Sequence, residues 1–135
     1  MITHRFKADP NSLYVVWIGA NNYLGFPDDQ DGEVKTVLIG IYNGLKQLVN
    51  AGAKHILIAN LPDLGTTPLA YEYDEETARI LTELSDKHNN RLYKKFQAFA
   101  SKYLEVDWFF LNVHDMLAEV IDDPEFFGFT NVTDT

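Results

Sequence analysis

Apolar residues run without a break from Leu13 to Ile18, in "LYVVWIG", and β-branched and aromatic side chains dominate the run. A short stretch that is apolar on both faces predicts a central strand of a parallel sheet. The proline, glycine and acids of "FPDDQDGEV" then break it. From Val34 the period lengthens: Val34, Val37, Leu38, Ile41, Leu45, Leu48 and Val49 share one helical face. Gly52 suits the left-handed position that ends such a helix. "HILIAN" predicts a second short strand, and "LPDLGTTP" a loop.

A long helical segment is predicted from about Asp74 to Tyr103, where Ala78, Leu81, Leu84, His88, Leu92, Phe96 and Phe99 recur at steps of three or four. "VDWFFL" predicts a third strand. Asn112 is placed to cap a last helix, whose apolar face is Val113, Met116, Leu117, Val120 and Ile121. Strands alternating with helices predict right-handed crossovers and an α/β fold around a parallel sheet. Three strands make that sheet thin, since about five or six are usual.

Size and charge narrow the functions open to such a fold. With 135 residues and 46% hydrophobic content the chain reads as one folded domain, residues 1–135. Eleven Lys and Arg against 20 Asp and Glu give a formal charge of −9, which argues against nucleic acid as a partner. The same charge weakens a reading as a binder of anionic membrane. No apolar run is long enough to span a bilayer, and "MITHRFKADPNS" is not a signal peptide. Without cysteine there is neither a disulfide framework nor thiolate chemistry, and the compartment is left open.

Ligands of open α/β sheets bind beyond the carboxyl ends of the strands. "GANNY" and "NLPDLGTTP" follow the first two strands and so fall on that edge. Gly19 permits a sharp turn there, and Asn21 offers an uncharged NH₂ donor suited to a developing oxyanion. His114-Asp115 resembles a catalytic pair in sequence, but neighbours on a helix diverge by about 100°, so a capping role is expected for Asp115. His88 is expected to pack or hydrogen-bond on its helix face, while His4 and His55 stand alone. No two histidines have metal-ligand spacing, so no metal site is expected. Ser12, Ser85 and Ser101 lie in no nucleophile elbow. Asp63 reads as a solvated loop acid, and Asn131 in "NVT" fits a glycosylation acceptor.

Four blocks, "VVWIGANNYL", "GAKHILIANLPDLGTTP", "LSDKHNNRLYKKF" and "PEFFGFTNVT", together resemble the GDSL-type lipases and acylhydrolases, or SGNH hydrolases. The likeness is nearest to their phospholipase, lecithinase and thermolabile-haemolysin branch and runs from about Asp9 to Thr133. It implies a three-layer α/β/α, flavodoxin-like fold, and hydrolysis of carboxylic esters, of lipid or phospholipid type, without a cofactor. In that family a Gly-x-Asn block serves the oxyanion hole; Gly19-Ala20-Asn21 matches it, which implies that Asn21 is the oxyanion donor. Gly19, Asn22, Tyr23, Leu61, Pro62 and Leu64 would then border the substrate. An acid usually follows that asparagine, where this chain has Asn22. The family's Gly-Asp-Ser-Leu nucleophile block and Asp-x-x-His block are absent, so the resemblance implies a central, truncated piece of a secreted or cell-envelope parent.

That piece would be inactive alone. In the family the serine-bearing strand lies beside the one that is here Leu13 to Ile18. Its absence would expose residues 13–18 as an edge and favour a homodimer through it. The rival expectation is a non-catalytic scaffold that acts in binding or self-assembly. A nucleotide-binding flavodoxin-like domain is disfavoured, because no Gly-rich phosphate loop follows the first strand.

Overall fold

The computed structural model describes residues 7–134. Strand β1 spans Leu13–Val16, β2 His55–Ala59 and β3 Asp107–Leu111. They form one sheet in the order β1-β2-β3, with both pairs parallel. Register places Leu13 beside His55 and His55 beside Asp107. The predicted first strand is thus shorter at its carboxyl end, where pairing with β2 stops before Trp17.

The crossover from β1 to β2 contains α1 (Ala20–Leu24) and α2 (Gln30–Asn50). Asp29 caps α2 by accepting a hydrogen bond from the Gly32 N–H, and Asp31 and Glu33 favour its positive first turn. The crossover from β2 to β3 holds a 3₁₀ turn at Leu64–Thr66, α3 (Pro68–Tyr71) and α4 (Glu75–Lys102). Asp74 caps α4 through the Thr77 N–H. A final helix, α5 (Val113–Asp122), follows β3. The order and type of the long elements match the sequence reading. The loop "LPDLGTTP" carries local helical turns that the periodicity did not predict.

Val34, Val37, Leu38, Ile41 and Leu45 of α2 meet Leu81, Leu84, Leu92 and Phe99 of α4 in one core. The sheet enters this core through Ile56 and Ile58, flanked by Tyr14 and Val16 of β1 and Trp108 and Phe110 of β3. Crossovers of one hand that step across a sheet in one direction put their helices on the same face. The opposite face stays largely open: Val15 is 60% and Phe109 47% exposed, and Leu13 and Leu111 are exposed beside them. The α/β reading therefore holds: a three-strand parallel sheet with helices, of which α2 and α4 cover one face.

This one-sidedness predicts unequal responses to truncation on the two faces. Ile56→Ala should destabilise by about 2–5 kcal/mol, because it leaves a cavity in the core. Val15→Ala should stay within about 0.5 kcal/mol, as at ordinary surface sites. Urea unfolding of the two variants measures the contrast, and equal losses would mean that the outer face is covered.

Candidate functional site: a cleft at the carboxyl edge of the sheet

Gly19 turns the chain out of the sheet with φ 119°, a conformation that side chains rarely adopt. A Cβ there would also meet His88 Cε1 and Val37 Cγ1, each at 3.0 Å. Two independent constraints therefore select glycine. The turn feeds directly into α1, where the Asn22 N–H donates to the Gly19 carbonyl at 3.1 Å.

A cleft of about 440 Å³ opens beside this turn. Gly19, Asn21, Asn22, Leu61 and Pro62, all singled out from sequence, line it together with Trp17, Ile18 and Ala20. The two asparagines differ. Asn22 Nδ2 donates to Glu33 Oε1 at 2.9 Å. Asn21 is exposed, and among the described residues its carboxamide has no hydrogen-bond partner. Trp17 and Ile18 were not picked out as site residues, because a continuous apolar run gives no sign of which members leave the sheet.

Tyr23 and Leu64 face the other way. Tyr23 is fully buried, and its hydroxyl lies 2.7 Å from His88 Nδ1. Burial raises the Tyr23 phenol well above its ordinary value, and nearby Glu33 adds to this. Burial alone depresses the His88 imidazole to about 4. Leu64 is buried as well, and its N–H donates to Ser85 Oγ. Neither Tyr23 nor Leu64 lines the cleft: short helical turns rotate both into the core.

The opposite wall is fastened by amides. The Leu61 N–H donates to Asn89 Oδ1 at 2.9 Å, and Asn89 Nδ2 donates to the Leu61 carbonyl at 2.8 Å. Trp17 Nε1 donates to the Asn60 carbonyl at 3.1 Å, which joins the ends of β1 and β2. Asn60 Nδ2 donates to Asn112 Oδ1, and Asn60 Oδ1 accepts from the His114 N–H, which joins β2 to α5. Sequence reading passed over Asn60 and Asn89. For Asn60 the signal available was an amide placed directly after a buried strand; Asn89, inside α4, offered no such signal.

Other candidates resolve into structural roles. Asp63 is tied down rather than solvated: it accepts from the Gly65 N–H at 2.9 Å and from Thr82 Oγ1 at 2.6 Å. Ser85 is buried, and its hydroxyl donates to the Leu81 carbonyl. Asn112 caps α5 through the Asp115 N–H, as expected. The expected divergence of His114 and Asp115 is not seen, since His114 Nδ1 lies 3.1 Å from Asp115 Oδ1. At the first helical turn both side chains bend sideways into a second, polar cleft, where Asp86 lies 3.7 Å from His114 Nε2. His55 pairs with Asp107 at the amino ends of β2 and β3, far from either cleft. His4 lies outside the described residues.

The GDSL-like Lipase/Acylhydrolase model matches residues 2–132, and the chain belongs to that family. It is 32% identical over 126 residues to the phosphatidylcholine-sterol acyltransferase of Aeromonas hydrophila, covering 90% of this chain and 35% of that protein. It is also 32% identical over 76 residues to lipase 1 of Photorhabdus luminescens, covering 54% of this chain and 12% of the lipase. The chain thus spans about a third or less of these relatives. Among the described residues, no helix is long and apolar enough to cross a membrane.

Buried His88 predicts acid sensitivity. Its folded pKa of about 4 lies below the ordinary 6.5. The unfolded chain therefore binds a proton that the folded chain refuses between those values. Stability should be complete above about pH 6.5 and fall toward pH 4, by on the order of 3 kcal/mol from this group. Urea titrations at pH 7 and pH 4.5 of the wild type and His88→Asn separate this group from the carboxylates. The same pH dependence in both proteins would exclude His88 as the source.

Proposed function

We propose that this chain supplies the oxyanion-stabilising part of a serine hydrolase that cleaves carboxylic esters of lipid acyl type. The carrying observation is Asn21: its carboxamide is exposed on the cleft and uncommitted, while the neighbouring Asn22 is held by Glu33. When a serine hydroxyl attacks an ester carbonyl, the carbonyl π pair moves onto oxygen and a histidine takes the hydroxyl proton. An Asn21 N–H aimed at that oxygen stabilises the new charge without adding a proton that could be lost. Gly19, Asn22, Leu61 and Pro62 border the acyl side, and Tyr23 and Leu64 support the walls from within. The reading also rests on membership of a family of lipases and acylhydrolases.

The sequence contains neither Gly-Asp-Ser-Leu nor a terminal Asp-x-x-His, so nucleophile and base come from outside these residues and the isolated chain is inactive. The test is a chimera in which this segment replaces its counterpart in the Aeromonas acyltransferase. The chain alone should not hydrolyse p-nitrophenyl butyrate. In an active chimera, Asn21→Ala should lower kcat by roughly 10²–10³ with little change in KM, the usual effect of losing one oxyanion donor. An unchanged kcat would remove Asn21 from the mechanism.

A second reading, self-assembly of a non-catalytic scaffold, is favoured by the β1 edge. One side of β1 pairs with β2; the other borders a groove of about 830 Å³ lined by Val15, Val16, Ile18, Gly40 and Gly44. An apolar groove beside a strand can recruit another chain, and we propose that the second copy packs into it across a two-fold axis. Sedimentation equilibrium should then show a dimer that Val15→Lys or Ile18→Lys weakens. A monomer, or a folded variant that still dimerises, would place association elsewhere or nowhere.

A further inference from the structure

Helix α1 has only five residues, and its N-cap Gly19 makes no side-chain capping bond. Helices shorter than about 12–15 residues do not persist on their own, so tertiary contacts must hold α1. Its one buried residue is Tyr23, whose hydroxyl, among the described residues, hydrogen-bonds to His88 of α4. The rings also meet edge-on, with centroids 5.4 Å apart at 78°. The same imidazole lies under Gly19, where its Cε1 would be 3.0 Å from an added Cβ. One buried side chain thus touches both the turn before Asn21 and the anchor after it.

The next residue on α4 holds the other wall. Asn89 grips the backbone of Leu61 through both its N–H and its carbonyl. Adjacent residues on a helix point about 100° apart, so one rigid turn of α4 reaches two separate walls. His88 fixes the Asn21 side, and Asn89 fixes the Leu61 side. Together with the Trp17–Asn60 bond that joins the strand ends directly, α4 thus ties the two walls to one helix.

We infer that His88 is a positioning residue for the oxyanion cleft: bonded to Tyr23 and packed under Gly19, it fixes α1 and thereby the direction of the Asn21 carboxamide. This rests on the reading of Asn21 as the oxyanion donor. Three features support it. Burial keeps the imidazole neutral at ordinary pH, so the Tyr23 bond does not depend on a titrating charge. The bonded atom is Nδ1, the position an asparagine side chain can reproduce. Finally, His88 does not line the cleft, so its influence must pass through Tyr23 and Gly19.

Native-state amide exchange of the full chain tests the inference without any substrate, so its outcome is independent of whether the parent is a hydrolase. The reporters are the Asn22 and Phe26 amides, bonded to the Gly19 and Tyr23 carbonyls, with Ile56 and Ile58 of β2 as the measure of global unfolding. In Tyr23→Phe and His88→Leu the α1 reporters should exchange about tenfold faster than any change at β2 accounts for, the factor expected for one buried hydrogen bond. His88→Asn, which can retain a partner for Tyr23, should lie closer to wild type than His88→Leu. If His88→Leu does not fold, Tyr23→Phe, which removes a single oxygen, carries the same comparison. Reporters that change only in step with β2 would overturn the inference, because a residue that merely supports the core loosens the whole molecule equally.

Discussion

A parallel strand must be entered from the same end as its neighbour, so every connection has to travel back along the full sheet. Here that constraint acts twice, with both crossovers moving from β1 through β2 to β3. Connections of one hand then place α2 and α4 side by side on one face. Their apolar stripes share a single core with Ile56 and Ile58. The same constraint gathers all three strand ends at one edge, where "GANNY", "NLPDLG" and "NVHD" become neighbours despite their separation in sequence.

That edge is held by amides more than by charges. Asn60 joins β2 to Asn112 and to the His114 backbone, Asn89 holds both polar groups of Leu61, and the Trp17 indole reaches the Asn60 carbonyl. A carboxamide carries donor and acceptor in one neutral group, so it can satisfy two backbone atoms in a partly buried place without the desolvation cost of an ion. The charged pairs among these residues are at the periphery, as where Lys87 and Arg91 meet Asp31. Exposed pairs of that type contribute little. The cleft therefore owes its shape to hydrogen-bond direction and packing.

The long elements were legible in sequence because their apolar periods were long enough to fix a face. Val34, Val37, Leu38, Ile41 and Leu45 are buried on α2, and Leu81, Leu84, His88, Leu92 and Phe99 on α4, as the spacing predicts. Tyr23 was not legible as a core residue, since a five-residue helix offers no period and the adjacent amides suggested a polar surface. For β1 the unbroken apolar run implied burial on both faces, yet it alternates between exposed and half-buried. A run of that kind records what could be covered and says nothing of which element covers it. The His114–Asp115 contact was hidden for a different reason: backbone angles separate Cβ directions, but rotamers at a first helical turn can bring the tips together.

The sheet's wiring also has a kinetic meaning. The bonds that tie strand ends link residues 43 and 52 positions apart, Trp17 with Asn60 and Asn60 with Asn112. Closing such long loops costs entropy before any pairing repays it, which slows folding relative to local contacts. Helices α2 and α4 need only near neighbours and form on a timescale of about a microsecond. They would be present, as fluctuating segments, while the strands are still searching. Of these three strands β1 is synthesised first and waits for β2. The most apolar run in the chain is therefore also the one that spends longest without its partner, and that waiting time is when it is most open to pairing with the wrong chain.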